Sequence, residues 1–329
     1  MAVAGDPEAL GQLLRSRRER LTPADVGLPA GSRRRTAGLR REEVALLANL
    51  STTYYTFLEQ GRPVRPSAQV LDALASALRM SAAEQRYLEV LAYGVDNAAG
   101  GSAAGGNAAG GSAAVTAPAE RIDQGVVDLV QRLDPFPTIV KGRRWDVLAA
   151  NPSARELFDD WESLPAGERN LVRWMFTTDR AREVYVDWEL EAQAMLGRFR
   201  LAAARHRHDG DFAVLIAELQ RDSEHVREWW PRHDVIAVGS GSKKLRHPRL
   251  GPVSYSHVVL QVADDPDQTL VSYSPAAPEG QPPPAVLSDR SQHVLIGQRQ
   301  RASPHPDGGE QAVRNCPGDR ARRALARPQ

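Results

Sequence analysis

The sequence predicts two blocks of different fold class, an all-α front block of five helices over residues 1–93 and an α+β rear block with an antiparallel sheet over residues 121–277. Three observations carry this. Apolar residues recur at helical spacing through the front block, and all six tryptophans (Trp145, Trp161, Trp174, Trp188, Trp229 and Trp230) fall in the rear block. Between the blocks, residues 94–120 are almost wholly Gly, Ala, Ser and Asn. That composition buries too little apolar surface to offset chain entropy and reads as a flexible linker.

Charge and cysteine usage narrow the class. The net charge of the 329 residues is +1, with 13 basic against 10 acidic side chains over 1–93 and 21 against 24 over 121–275. A mildly basic head thus precedes a mildly acidic body. Cys316 is the single cysteine, so no intrachain disulfide forms. Asp6, Glu8, Glu19 and Asp25 interrupt the first thirty residues, and no run of about eighteen apolar residues occurs. A cytoplasmic, nucleoid-associated protein with no membrane partner is expected. Residues 278–329 are rich in Pro, Gly, Arg and Gln; they read as a disordered tail, or as the translation of a shifted frame of GC-rich DNA.

The front block opens with a helix over about Pro7–Arg20, with Leu10, Leu13 and Leu14 on one face. In "LRREEVALLANLSTTYYTFLEQG" (residues 39–61) an apolar run breaks at "ANLS" and resumes one turn later. Val44, Leu47 and Ala48 face inward on a helix from about Arg40, and Asn49 tolerates the left-handed backbone of a reversal. Ser51 caps a second helix, Tyr55 and Leu58 return to the apolar face, and Gly61 ends it. Two short helices joined by so tight a turn, with Ala45 at their crossing, make a helix-turn-helix. Helices over about Ser67–Leu78 and Ser81–Ala92 complete the block.

In that motif the first turn of the second helix enters the major groove. Thr52, Thr53 and Thr56, with Tyr54 or Phe57 beside them, are the base-edge candidates. Arg33, Arg34, Arg35, Arg40 and Arg41 before the motif and Arg62 and Arg65 after it suit phosphate; singly, each reads equally as a solvated surface charge. Residues 9–93 resemble Xre-type, phage-repressor-like regulators, in particular the actinobacterial branch that carries an MmyB-like ligand-binding domain. The resemblance implies operator DNA with paired half-sites and a homodimer.

The rear block starts with a helix bearing Val126, Leu129, Val130 and Leu133, halted by Pro135 and Pro137. A strand at Thr138–Val140, a turn at Gly142, a strand with alternating Trp145, Val147 and Ala149, and a helix from Asn151–Pro152 follow. Further helices carry Trp188, Ala192, Met195, Leu196 and Phe199 on one face, then Leu215, Leu219, Val226 and Trp230. Strands return at "DVIAVG", "KKLRHP" and a hairpin over 251–274 whose turn is "DDPD". The segments "GRRWDVLAANPSA", "RNLVRWMF", "SEHVREWWPRHDV" and "HPRLGPVSYSHVVL" are similar to the MmyB-like domain over 121–277. That resemblance implies a PAS-like sensor of a small, apolar, fatty-acid-like effector. Trp174, Phe176, Trp188, Met195 and Trp229 are the apolar pocket candidates, with core packing as the plainer reading. Arg144, Asn170 and Arg200 are candidates for a ligand head group.

Enzyme chemistry finds no constellation. His206 and His208 in "HRHDGD" stand two apart near a helix end and face different ways. "GSGSKK" lacks phosphate-loop spacing, and no serine sits in a nucleophile elbow. No cofactor and no metal are expected. The alternatives to sensing are a structural dimerisation module and a DNA-tethered enzyme. With a flexible linker, coupling between the blocks is expected through a dimer contact.

Overall fold

The front helices begin where small polar residues cap them. The structure, a computed structural model, describes residues 5–29, 38–94 and 120–276; the predicted linker, apart from residues 94 and 120, and the predicted tail lie outside them. Helix α1 (Pro7–Arg20) starts at Asp6, whose side chain accepts from the Ala9 amide. After α2 (Arg41–Leu47), Asn49 takes a left-handed φ of 53° and the Leu50 amide bonds back to the Ala45 carbonyl, reversing the chain. Ser51 then caps α3 (Thr52–Glu59), and Gly61, at φ 68°, ends it. Ser67 and Ser81 cap α4 (Ala68–Ala77) and α5 (Ala82–Tyr93) in the same way. Leu10, Leu13, Leu14, Val44, Tyr55, Leu58, Leu71, Leu74 and Leu88 form the shared core. Gly11 lets α1 approach closely, since a methyl there would come within 2.6 Å of the Glu59 carbonyl oxygen.

The rear block packs a helical layer on one antiparallel sheet. Helix α6 (Gln124–Arg132), strands β1 (Thr138–Lys141) and β2 (Val147–Ala150), and α7 (Pro152–Leu157) come first. Helices α8 (Leu171–Thr177), α9 (Asp179–Val184), α10 (Trp188–Arg205), α11 (Gly210–Asp222) and α12 (Glu224–Trp229) follow. The chain closes with β3 (Gly241–His247), β4 (Gly251–Val262) and β5 (Asp265–Pro275). Among the described residues the strand order is β2-β1-β5-β4-β3, with every pairing antiparallel. The period of two puts Ile139, Leu245, Tyr255, Val271 and Tyr273 into the main aromatic core. On the other face Val130 of α6 covers Val140 and Leu270.

Three local expectations change. "DVIAVG" is not a strand: residues 234–239 make no ladder, and the sheet edge is taken by Gly241–His247, whose Lys243 and Leu245 point inward. Trp145 is not in β2 but in the preceding turn at φ 68°, where its buried ring is aimed by the backbone. The β4–β5 turn sits at Ala263–Asp264, two residues ahead of the expected centre. The blocks also do not stand apart, because Leu201 of α10 and Val235 are buried in the front block's core. The described residues fall within one compact unit.

A buried ionic cluster fixes α3 on α1. The Glu59 side chain is fully buried and accepts from Arg18 Nε (2.7 Å), Arg18 Nη2 (2.9 Å) and Arg41 Nε (3.0 Å). Burial on its own would raise this carboxyl, but the Arg18 and Arg41 guanidiniums outweigh it and hold it below the ordinary value. The resulting stability is complete above the ordinary carboxylate range and is lost as pH falls through the depressed value. Removing the carboxylate leaves the buried Arg18 with only the half-exposed Glu19, at 3.5 Å, as a counter-ion. Glu59→Ala is therefore expected to cost about 3–5 kcal/mol in a denaturant melt; a loss under about 1 kcal/mol would show that the cluster does not hold the helices together.

Candidate nucleic-acid interface and ligand cavity

The cap at Ser51 determines which α3 residues face outward. Thr52 and Thr53 are exposed, Thr56 and Phe57 are half-buried, and half-buried Tyr54 packs against the front core. Arg62 lies over the Phe57 ring at 4.2 Å, so a planar cation sits beside the outward turn. Arg62 and Arg65 are exposed after α3, and Arg40 is exposed at the start of α2. Arg41 is half-buried and engaged with Glu59, so it is a structural residue as well as a phosphate candidate. Arg33, Arg34 and Arg35 lie outside the described residues. The Arg18–Glu59 pair was missed in the sequence; its signal was a carboxylate beside Leu58 on the apolar side of a short helix.

Between the inner face of the sheet and α10 lies a cavity of about 70 Å³. Ile139, Phe158, Leu171, Met195, Val271 and Tyr273 supply much of its apolar wall. Lys141, Trp145, Arg198, Val238 and Gly239 border both this cavity and an outer cleft of about 370 Å³, which Arg143, Arg205 and His206 extend. The rim is cationic. The Lys141 ammonium is buried 4.1 Å from the Trp145 ring centre. Burial first, and the charge of Arg198 second, push its pKa down to about 8. Arg198 Nε is buried and finds no hydrogen-bond partner among the described residues, whereas Lys243 is neutralised by Glu191.

Of the pocket candidates, the structure places Met195 on the cavity wall. Trp174 packs edge-on to Phe158 and Trp161 and donates to Asp159 (2.8 Å). Phe176, Trp188 and Trp229 form a separate aromatic group elsewhere in the helical layer. Arg144 is paired with Asp146 (3.0 Å) and Asp211 (3.2 Å), and Asn170 caps α8. Arg200 lies over Trp230 at 4.0 Å and donates to its carbonyl. None of these seven borders the cavity. Helical spacing reports burial, but not which buried residue adjoins a void.

His206 bonds Asp267 (3.1 Å) and His208 accepts from Arg207 (3.0 Å). No group of three or more His, Cys, Asp or Glu among the described residues is placed to hold a metal ion. No helix among them is long and apolar enough to cross a membrane.

Comparison with protein families finds two matches. Residues 9–88 match a family model described as a helix-turn-helix domain, and residues 122–294 match the MmyB-like transcription regulator ligand binding domain. No curated protein matches the chain. The ligand-binding match spans more than half of the 329 residues, and the chain therefore belongs to the MmyB-like transcription regulators, with a DNA-binding helix-turn-helix domain ahead of a ligand-binding domain.

Proposed function

We propose that this regulator reads operator DNA with the first turn of α3, as a homodimer on paired half-sites, and that its effector is an anionic amphiphile of the fatty-acid class. In this reading Thr52, Thr53, Tyr54, Thr56 and Phe57 meet base edges. Arg40, Arg62 and Arg65 grip phosphate, with Arg41 and the Arg33–Arg35 run as further candidates. The protein works on the cytoplasmic chromosome and carries no catalytic role.

The single observation behind the effector class is an apolar cavity whose rim holds a buried cation with no ion-pair partner among the described residues. An alkyl chain gains by leaving water for a wall of Ile139, Phe158, Met195 and Val271. Glu120 and Asp267 act on Lys141 from beyond ion-pair distance, so a carboxylate at the rim gives Lys141 and Arg198 a direct partner, and it does so where a low dielectric strengthens the attraction. A second reading, a structural module with a filled core, draws on the inner cavity's volume of about 70 Å³, well under the roughly 300 Å³ of ordinary ligand sites. The outer cleft, about 370 Å³ and sharing the same rim, favours the sensor.

Native mass spectrometry of the delipidated protein titrated with dodecanoate and dodecanol tests the reading. Dodecanoate is expected to bind and the alcohol to bind far more weakly. The pH sign follows from Lys141. Its ammonium is fully charged well below pH 8, so affinity for the carboxylate is maximal there. Above that value the affinity falls by up to about tenfold per unit. Lys141→Met should flatten the profile; equal binding of acid and alcohol, or a flat wild-type profile between pH 7 and 9, would contradict the assignment.

The DNA contacts separate by substitution. Thr53→Ala is expected to change base preference at one position of each half-site by about 1–3 kcal/mol in a binding selection. Arg62→Ala should weaken all duplexes alike and reduce the salt slope by about one. Arg41→Ala is a poorer probe, because it also disturbs Glu59. Indistinguishable effects of Thr53→Ala and Arg62→Ala would overturn the division of roles.

A further inference from the structure

We propose that the strap Arg232–Gly239 couples the effector cavity to the DNA-binding helices within a single chain, so that filling the cavity changes how the reading head is held. This rests on the reading that the cavity takes an effector. The strap is anchored at both ends. At its start, the Arg232 carbonyl accepts from Ser16 Oγ (2.8 Å) and from Arg20, and the His233 carbonyl accepts from Arg17 Nη2 (2.9 Å). Asp234 pairs with Arg20 at 2.5 Å and with Arg17 at 3.7 Å, while Arg17 also pairs with Glu84 of α5 at 2.5 Å. Val235 is buried in the front core. At its far end, Val238 and Gly239 wall the cavity and the cleft, and the Gly239 carbonyl bonds His257 Nε2 at 3.2 Å.

Val235 and Val238 are three residues apart, so the front core and the cavity wall are separated by at most about 10 Å of chain. No sheet ladder holds the stretch between them. Its support is packing: Ile236 lies on α10 at Gly197, where an added methyl would come within 3.2 Å of the Ile236 amide nitrogen. His233 is held at φ 55°, a conformation costly for a residue with a side chain, and its buried Nδ1 has no partner among the described residues. Helix α10 adds a second tie, since Arg198 is on the cavity rim and Leu201, three residues on, is in the front core. Thr52 and Thr53 stay exposed in this docked arrangement. Docking therefore orients the reading turn and does not cover it.

An effector that displaces Val238 and Gly239 has differential affinity for two positions of the strap, which is what shifting a population requires. The anchors on Arg17 and Arg20 carry that shift to α1, which holds α3 through Arg18 and Glu59. No second copy of the chain is needed for the coupling.

The test uses the full chain and an operator duplex selected from random DNA, with dodecanoate as probe. In the wild type, saturating dodecanoate should change operator affinity by about fivefold or more. The double variant Arg20→Ala, Asp234→Ala removes two half-exposed side chains. It should bind dodecanoate as the wild type does and lose the change in operator affinity. Val238→Trp, which enlarges a half-exposed side chain on the cavity wall, should shift operator affinity without dodecanoate, and should not do so in the double-variant background. If the double variant responds like the wild type, or Val238→Trp acts equally in both backgrounds, the strap is not the coupler. If dodecanoate fails to bind the wild type, the effector class is wrong, and the tryptophan arm still decides the strap.

Discussion

A carboxylate with no exposed atoms, Glu59 at the end of α3, is the constraint on which the proposed DNA reading depends. It bonds Arg18 of α1 and Arg41 of α2, so the three helices meeting there have one relative placement. The outward turn of α3 is thereby aimed by a charge cluster at its opposite end. Neighbouring positions on α1 point elsewhere because successive helical residues are about 100° apart. Arg18 turns inward to Glu59 while Arg17 and Arg20 reach Asp234. One helix thus holds the reading head on one side and the ligand-binding domain on the other.

The ligand-binding domain sets an apolar void against a cationic rim. Alternation along β1 puts Ile139 into the void and Lys141 at its edge, on the same face of the sheet. Burying an ammonium with no carboxylate in contact opposes folding, and a carboxylate ligand would relieve that cost on binding. Lys243, the corresponding buried lysine of β3, already has Glu191 beside it and offers no such gain. That difference between two inward-facing lysines singles out the Lys141 end as the one suited to an anion.

Much of the backbone was legible in the sequence, because caps and reversals are local chemistry. Asn49, Ser51, Gly61, Ser67 and Ser81 act where their side chains or φ preferences require, and the front helices follow the leucine spacing. The strands at 138–141 and 251–275 follow from alternation. "DVIAVG" misled because an apolar run of strand length is equally suited to packing as a strap, and only tertiary pairing separates the two. The pocket candidates other than Met195 proved to lie away from the void for a related reason: periodicity marks a buried face, and large aromatics fill it. Docking of the front helices left no sequence trace, since Arg17, Arg20 and Asp234 look like any surface charges until their partners are in place.

In the proposed regulator, DNA contacts respond to what the rear domain of the same chain holds. Genome-wide footprinting of the protein in its delipidated form, with and without a lipid extract of its own cells, measures this most directly. The account predicts discrete paired half-sites about one helical turn apart, with occupancy that changes when the extract is added. Protection spread without sequence preference, or discrete sites indifferent to the extract, would contradict it.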